Sequence, residues 1–347
     1  MCASQLSSIL FLFAAAVRSV VAEGAYGTSC AAAPLKGFAA LKDGALVDGA
    51  GEPFVFASMN LPNIHRIELP EGGVRKPTLA EVADGLCSVQ QMKGRVARTY
   101  VLSHGDGDLY HIDGGTVNEG WFAVLDQVIE VAEQLGVYVI IPFVNTFWRA
   151  APRDSARNSA AAQFGRRAIL RRHVRHLRRY EHWGTTAYYA QWSGQDPSKS
   201  IDFFHDETQQ AVFRGVLTAV LERVNSRTGR QYKDEPAILA WETGNELVDV
   251  RYGAESGVPP PAEWTEGVAA HLRAHGAQQL IMDGAQFTSA SLPLAGIDLV
   301  GRTCAAPHRR AAAAAAASPA RRAASPRRLA SAAAATTTSQ RRRSRTT

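Results

Sequence analysis

Long apolar runs and amphipathic stretches alternate along the middle of this chain. The strongest apolar runs cover residues 137–145 and 237–247, and each is bounded by turn or polar residues. Runs of this length are typical of strands that are buried on both faces of a parallel sheet. Residues 120–135 and 209–225 instead place apolar side chains at helical spacing, which predicts helices with one buried face. Strands that alternate with helices in this way predict parallel βα units.

The pattern predicts six strands and four main helices in an α/β fold. Thr78 and Glu81 have the spacing of a capping box at the start of one helix, and Gly136 is placed to end another. A closed (β/α)8 barrel needs eight strands, whereas a doubly wound sheet is complete with six, so both architectures stay open. The predicted strands are residues 53–60, 95–101, 137–145, 237–247, 279–283 and 297–300, and the predicted helices are residues 78–92, 120–135, 209–225 and 263–274.

The run at 237–247 carries the first candidate for chemistry, because it contains the polar pair Asn245 and Glu246 at its end. Parallel barrels keep their catalytic groups at the carboxyl ends of the strands, and a carboxyl group there is suited to act as a general acid. The same two residues are also good caps for a following helix. From this segment alone, a catalytic acid and a cap are about equally good readings.

Composition separates a globular part from two basic blocks. With 46% hydrophobic residues, the 347-residue chain can bury a sizeable core, and its net charge is +6. Eleven arginines and no acidic residues follow residue 301, and residues 149–183 carry a net charge of +8. Removing +11 and +8 from the total of +6 leaves −13 for the remainder. We therefore expect no nucleic-acid partner for the globular part.

The N-terminus predicts a secreted protein. Residues 9–17 form a short apolar core, residues 20–22 resemble a signal-peptidase site, and residues 1–22 are therefore expected to be a signal peptide. The apolar run is too short to span a membrane, although a disordered or membrane-tethering N-terminus is the alternative. Of the four cysteines, Cys30 and Cys87 are a possible disulfide pair, which would fit an oxidising compartment.

One domain is expected over residues 23–303. It is interrupted by a basic insertion at 149–182 and followed by a low-complexity tail at 304–347 that is too poor in large apolar residues to bury a core. Both blocks are either disordered basic arms or the product of translation out of frame or through an intron. The chain shows no metal-ligand spacing and no phosphate-binding glycine loop after a strand, so we expect neither a metal nor a cofactor.

Seven segments together resemble the secreted fungal and plant β-mannanases of glycoside hydrolase family 5. Their order and spacing match across residues 35–148 and 184–300, which makes the resemblance fairly specific although each motif alone is weak. The matching segments are residues 56–60, 95–100, 135–145, 189–194, 203–206, 224–229 and 234–247.

The resemblance implies a (β/α)8 TIM barrel, here incomplete with about six recognisable βα units and a disordered basic tail. It also implies a retaining glycosidase with two glutamates held about 5–5.5 Å apart. By this resemblance Glu246 is the general acid/base, Asn245 bonds the sugar 2-hydroxyl, and Arg98 steadies the nucleophile. The alternative for Arg98 is an ordinary salt bridge at a strand end.

The family pattern also implies substrate-binding residues. Asn145, Trp148 and Trp192 fall on sugar-subsite positions, since the apolar faces of pyranose rings pack on aromatic side chains. The alternative for each tryptophan is an ordinary half-buried aromatic residue, which is about an even choice for Trp148 and the favoured reading for Trp192. The expected substrate is a β-1,4-mannan, glucomannan or galactomannan, cleaved at internal bonds by a secreted monomer without a membrane partner.

The second glutamate of the family pattern is not present in this chain. No glutamate follows Glu266, and Glu263 and Glu266 lie in a predicted helix rather than at a strand end. The nucleophile therefore stays unknown, and the 347-residue chain is expected to be weakly active or inactive. Two alternatives remain, namely a β-1,4-glucanase of the same family and a non-catalytic protein that binds carbohydrates or polyanions.

Overall fold

The computed structural model describes five stretches of the chain, which belong to one compact unit, Met1–Thr303. They are residues 30–70, 73–146, 185–253, 256–285 and 294–301. The predicted signal peptide, basic insertion and low-complexity tail all lie outside the described residues, and so does Trp148. Within these ranges, no helix combines the length and the apolar composition needed to cross a membrane.

The strands of the described residues form one parallel sheet, two antiparallel pairs and one small mixed sheet of three strands. Their bounds are β1 Ala40–Lys42, β2 Ala45–Val47, β3 Ser58–Asn60, β4 Ile67–Glu68, β5 Val74–Arg75, β6 Val96–Arg98, β7 His104–Gly105, β8 Ile112–Asp113, β9 Thr116–Val117, β10 Tyr138–Pro142, β11 Ile238–Glu242, β12 Leu280–Asp283 and β13 Leu299–Val300. The small sheets were not predicted, because strands of two or three residues leave no periodic pattern in the sequence.

The main sheet has six strands in the order β3-β6-β10-β11-β12-β13, and every neighbouring pair is parallel. The strands of this sheet therefore lie side by side in the order in which they occur along the chain. A doubly wound sheet reverses its strand order partway, whereas a barrel adds strands in one direction. The sequential order therefore identifies the sheet as an arc of a (β/α)8 barrel and excludes the doubly wound alternative.

Local sequence signals set several helix ends, but the helix predicted at 209–225 covers Glu207–Glu222, and the helix Ala187–Trp192 was not predicted. Thr78 and Glu81 form the predicted capping box, with the Thr78 backbone N–H donating to the Glu81 carboxylate at 2.8 Å. Gly136 adopts the left-handed conformation, at φ 69°, that ends the second helix. The helices are α1 Leu79–Gln91, α2 Glu119–Leu135, α3 Ala187–Trp192, α4 Glu207–Glu222 and α5 Ala262–Ala274.

The two faces of the sheet bury different partners. Ala97, Val139 and Ile141 belong to a large cluster shared with apolar residues of the helices. Their neighbours along the strands, such as Val96 and Ile140, belong to a second, smaller cluster that contains residues of the strands and of the segment before them. Because side chains alternate along a strand, every second residue faces the inside of the barrel arc.

The first predicted strand was too long at its start. The strand begins at Ser58, while Phe54 is buried in the smaller cluster with its ring centroid 5.3 Å from that of Tyr138. Pro53 pairs in an isolated bridge with Val47 instead of joining the main sheet. Phe54, with Phe56 packed beside it, therefore belongs to the smaller cluster, whereas Val55 is exposed.

A disulfide and a buried ionic cluster hold the outer layer. The possible pair of Cys30 and Cys87 is confirmed as a disulfide that links the N-terminal segment to α1. On α2, the fully buried Asp126 accepts hydrogen bonds from Arg223 at 2.5 Å, from the Ser226 hydroxyl at 2.6 Å and from the Tyr232 hydroxyl at 2.6 Å. Asp126 thus ties α2 to the connection between α4 and β11.

Candidate active site

A buried ion pair joins the ends of β6 and β11 inside the barrel arc. Arg98 donates from Nε to Oε2 of Glu242 at 2.7 Å and from Nη2 to Oε1 of Glu242 at 2.8 Å. The same Nη2 also donates to Oδ1 of Asn245 at 3.0 Å. These hydrogen bonds connect side chains that are 144 and 147 residues apart. We call Arg98, Glu242 and Asn245 the strand-end clamp.

Burial and charge act in opposite directions on the clamp. The Glu242 side chain is only 4% exposed and that of Arg98 is 15% exposed. Burial raises the pKa of the Glu242 carboxyl above its usual range, while the hydrogen bonds and charge of Arg98 oppose that rise. A bidentate pair of arginine and carboxylate fixes the planes of both groups, so Arg98 is held in one orientation.

Glu246 stands next to the clamp in a strained backbone conformation. Its φ of 48° lies in the left-handed region, which costs a residue with a side chain about 1–2 kcal/mol. The strain is held in place by neighbouring strand ends, since Leu247 N–H donates to Gly284 O at 2.9 Å and Thr146 Oγ1 donates to Glu246 O at 3.1 Å. Glu246 is half-buried, and among the described residues its carboxylate accepts no hydrogen bond. Strain of this kind is common at functional sites.

Glycines permit the close approach of these strand ends. A Cβ atom on Gly244 would lie 2.5 Å from Val144 O, and one on Gly284 would lie 1.6 Å from Gly244 O. No side chain fits at such distances without displacing backbone. The sequence around Glu246 is therefore constrained by backbone packing. The strand predicted at 237–247 ends at Glu242, although Asn245 and Leu247 still form isolated parallel bridges with Asn145 and Ala285.

The predicted sugar-binding residue Asn145 lies beside Asn245, with which it forms a parallel bridge. It is fully buried, and its Nδ2 donates to the Tyr100 hydroxyl at 3.1 Å. The structure thus brings Asn145 to the same end of the sheet as Arg98 and Glu246. Its contact with a sugar stays a prediction.

Trp192 is the last residue of α3 and packs among aromatic side chains beside the loop that follows β6. Its indole N–H donates to Asp106 at 2.9 Å, and its ring stacks on His104 and Tyr188 with centroid distances of 5.9 and 5.5 Å. The half-buried ring matches the alternative reading of a packed aromatic residue, and a role in sugar binding stays a prediction.

Three histidines, His65, His104 and His111, are fully buried in and around the loop that follows β6. His65 Nδ1 lies 3.1 Å from His111 Nε2, and His104 Nε2 lies 2.7 Å from the Tyr189 hydroxyl. Burial lowers the pKa of His65 to about 4, that of His104 to about 3, and that of His111 well below its usual value. These rings are neutral at pH 7 and serve as hydrogen-bonding parts of the core.

The sequence reasoning missed Glu242 and Thr146. Glu242 is the last residue of β11 and lies two residues after Ala240, so alternation along the strand predicts a carboxylate that faces the inside of the barrel arc. Its partner Arg98 could not be read from the sequence. Thr146 follows the strand β10 by four residues and bonds Glu246 and Val248 through its hydroxyl. Across the part of the chain that the structure describes, no group of three or more His, Cys, Asp or Glu is placed to hold a metal ion.

Relatives of known type match both the sequence and the fold. A family model described as "GH family 5 beta-mannosidase-like" matches residues 110–294, which is more than half of the chain. Mannan endo-1,4-beta-mannosidase 4 from Oryza sativa subsp. japonica is 29% identical over 189 residues, covering 54% of this chain and 34% of the relative. The enzyme of the same name from Solanum lycopersicum is 28% identical over 172 residues, covering 49% of this chain and 35% of the relative. The chain thus spans about a third of the length of these plant relatives.

Among solved structures, the endo-1,4-beta-mannanase from Rhizomucor miehei superposes with a TM-score of 0.52 at 18% sequence identity. The match covers 73% of this chain and 63% of that enzyme. At this identity the likeness supports the barrel fold and nothing finer. From the matched family model, together with the sequential parallel sheet, we conclude that the chain belongs to the β-mannosidase-like group of glycoside hydrolase family 5.

Proposed function

We propose that this chain carries part of a retaining glycoside hydrolase that cleaves internal β-1,4-mannosidic bonds in mannan, glucomannan or galactomannan, with Glu246 as general acid/base. One observation carries the proposal: Glu246 is held in a strained left-handed conformation at a strand end, next to an asparagine that a buried arginine orients. A helix cap would not need this strain, because caps favour ordinary extended backbone.

The clamp gives Asn245 a defined role. Arg98 donates to Oδ1 of Asn245, so the amide N–H groups of Nδ2 point away from Arg98. We infer that Nδ2 donates to the 2-hydroxyl of the sugar at the cleavage point. Glu242 acts through Arg98, since its two hydrogen bonds keep the guanidinium in place.

Glu246 supplies the proton for bond cleavage in this proposal. Its half-buried carboxyl group protonates the glycosidic oxygen as the leaving sugar departs, and the resulting carboxylate then activates water. The other partner of a retaining pair is a carboxylate about 5–5.5 Å away. Glu242 does not fit that part, because it is 4% exposed and bonded on both oxygens to Arg98.

The nucleophile is therefore not assigned to any residue of this chain. No glutamate follows Glu266, and Arg98 contacts Glu242 and Asn245 where a nucleophile was expected as its partner. We infer that the 347-residue polypeptide by itself turns over polysaccharide slowly. The disulfide between Cys30 and Cys87 supports secretion into an oxidising compartment, and we propose that the protein acts there as a monomer.

Hydrolysis of purified galactomannan, glucomannan and β-glucan by the untagged chain tests these points together. We expect slow release of reducing ends, faster from the mannans than from β-glucan, and loss of that release in Glu246→Gln. Circular dichroism of both proteins serves as the control for folding. Turnover that is fast and requires Glu246 contradicts the low-activity inference, and turnover that is unchanged in Glu246→Gln contradicts the assignment of the acid.

A further inference from the structure

A chain of hydrogen bonds runs through two fully buried histidines near the end of β6. His111 Nδ1 lies 2.7 Å from Ser103 Oγ, and His111 Nε2 lies 3.1 Å from His65 Nδ1. His65 Nε2 in turn lies 3.0 Å from the backbone carbonyl oxygen of Tyr100. Neither ring has any solvent exposure, and the ring centroids are 4.7 Å apart in an edge-on arrangement. Direct contacts therefore connect Ser103 to Tyr100.

The backbone fixes the direction of each donor in this chain. The Ser103 N–H donates to His111 Nδ1 at 3.3 Å, and a ring nitrogen that accepts a hydrogen bond carries no proton of its own. The proton of a neutral His111 ring is therefore on Nε2, from which it donates to His65 Nδ1. By the same reasoning, the proton of His65 is on Nε2 and donates to the Tyr100 carbonyl. Only this pair of tautomers gives each contact one donor and one acceptor.

The same arrangement requires both rings to be neutral. A second proton on either ring would place two N–H donors face to face. Arg66 and Lys76 carry positive charge nearby, and together with His104 they oppose protonation of His111. Burial lowers the pKa of His65 to about 4 and that of His111 well below its usual value. Both rings are therefore expected to stay neutral above about pH 5.5.

Tyr100 links this chain to the site. The Thr99 hydroxyl also lies 3.1 Å from the Tyr100 carbonyl oxygen, but its single proton is shared with the Ile140 carbonyl at 3.1 Å. His65 instead contributes a ring N–H with a fixed direction. The Tyr100 hydroxyl accepts a hydrogen bond from Asn145 Nδ2 at 3.1 Å. One N–H of Asn145 is thereby fixed, so the plane of its amide and the direction of Oδ1 are fixed as well.

We propose that His65 is a positioning residue, which acts through Tyr100 to orient the Asn145 amide for hydrogen bonds to a sugar hydroxyl. His111 supports it by fixing its tautomer. The inference rests on the proposed function, since it takes a sugar of a β-mannan as the ligand of Asn145. Asn145 forms a parallel bridge with Asn245, which places the oriented amide beside the strand-end clamp. The histidines themselves do not touch the substrate.

Two substitutions of His65 separate positioning from packing. Glutamine keeps an amide N–H close to the position of Nε2 as a donor to Tyr100, whereas leucine fills the buried space and has no donor. In protein made with isotope-labelled asparagine, the side-chain amide NMR signals of Asn145 should shift in His65→Leu and stay near their parent positions in His65→Gln. Affinity for mannohexaose, measured by calorimetry, should fall about threefold in His65→Leu and by less in His65→Gln. A packing role predicts the opposite order, because leucine suits an apolar core better than glutamine does.

Tyr100→Phe and Tyr138→Phe form a matched pair for the second step. Each removes one tyrosine hydroxyl, but the Tyr138 hydroxyl contacts the backbone of Gly49 and Gly37, and Tyr138 is the first residue of β10. Tyr100→Phe should shift the Asn145 signals and weaken mannohexaose binding about fivefold, while Tyr138→Phe should leave both unchanged. Circular dichroism shows whether each variant folds.

Nitrogen NMR of the parent chain adds a test that needs no substitution. Both His65 and His111 should carry their proton on Nε2, and their signals should not change between about pH 7.5 and about pH 5.5. A proton on Nδ1 of either ring, unchanged Asn145 signals in His65→Leu, or equal shifts in His65→Leu and His65→Gln would overturn the inference. If His65→Leu does not fold, the tautomers and the tyrosine pair decide the question. A parent chain that does not bind mannohexaose contradicts the proposed function instead, and the Asn145 signals still decide whether His65 orients the amide.

Discussion

Replacing Glu242 by glutamine is the sharpest structural test of the strand-end clamp. The substitution keeps the volume of the side chain but removes its charge and one of its two acceptor oxygens. Arg98 then faces an amide N–H group in place of an oxygen at either 2.7 or 2.8 Å. The guanidinium is left 15% exposed without a full counter-charge.

The size of the expected effect follows from these contacts. Breaking a buried ion pair by removing one partner typically costs about 3–5 kcal/mol, and a hydrogen bond to a charged group contributes about 1.5–3 kcal/mol. Since glutamine keeps one acceptor, the expected loss in the free energy of unfolding is at the low end, about 3 kcal/mol. The loss comes from the stranded charge of Arg98 rather than from a cavity.

Urea denaturation followed by circular dichroism measures this loss. Glu246→Gln is the control, because a half-buried carboxylate without hydrogen bonds from the described residues should change the free energy of unfolding by less than about 0.5 kcal/mol. The double variant Arg98→Met/Glu242→Gln should lose much less stability than the sum of the losses in the two single variants, since each single substitution removes the same contact. A loss below about 1 kcal/mol in Glu242→Gln would refute the reasoning.

Three further predictions concern strain, the outer ionic cluster and pH. Glu246→Gly should have a free energy of unfolding about 0.5–1 kcal/mol higher than that of Glu246→Ala in urea denaturation, because glycine tolerates the left-handed φ. The opposite order would show that the strain is absent. Asp126→Asn should lower the free energy of unfolding by about 2–4 kcal/mol, since Asp126 is fully buried and neutralises Arg223. A fall in melting temperature of less than about 2 °C would speak against this. The lowered pKa values of His65 and His104 mean that the unfolded chain binds more protons below pH 6.5. Stability should therefore be full above about pH 6.5 and fall toward pH 4, whereas a flat free energy of unfolding between pH 7.5 and 5 would contradict the burial of neutral rings.

Local signals in the sequence predicted the six strands of the main sheet and the four longer helices, but not the short strands or α3. The capping box at Thr78 and the left-handed Gly136 set helix ends through contacts within a few residues, so pattern reading suffices there. The choice between a barrel and a doubly wound sheet could not be made from the pattern. It depends on strand order, which is a property of the folded sheet and is seen in the sequential pairing of its six strands.

The site was predicted only in part, because its key contacts are distant in sequence. Glu246, Asn245 and Arg98 were chosen from strand-end positions and the family resemblance, and the structure brings Asn245 and Arg98 into contact. The pairing of Arg98 with Glu242 spans 144 residues and has no local signature. The strain at Glu246 is likewise imposed by Thr146 and Gly284 on neighbouring strand ends, which a single segment cannot reveal.

The most direct measurement of the central claim uses an external nucleophile with two aryl β-mannotriosides, one with a dinitrophenyl and one with a methylumbelliferyl leaving group. Azide attacks the anomeric carbon as the bond to the aryl oxygen breaks, giving an α-mannotriosyl azide. The methylumbelliferyl group needs a proton from an acid as it leaves, while the dinitrophenyl group does not. With Glu246 as the acid, Glu246→Ala should lose azide-dependent release of methylumbelliferone by about 10²–10⁴-fold and keep release of dinitrophenol. Equal release of both from the parent chain and Glu246→Ala would contradict the account.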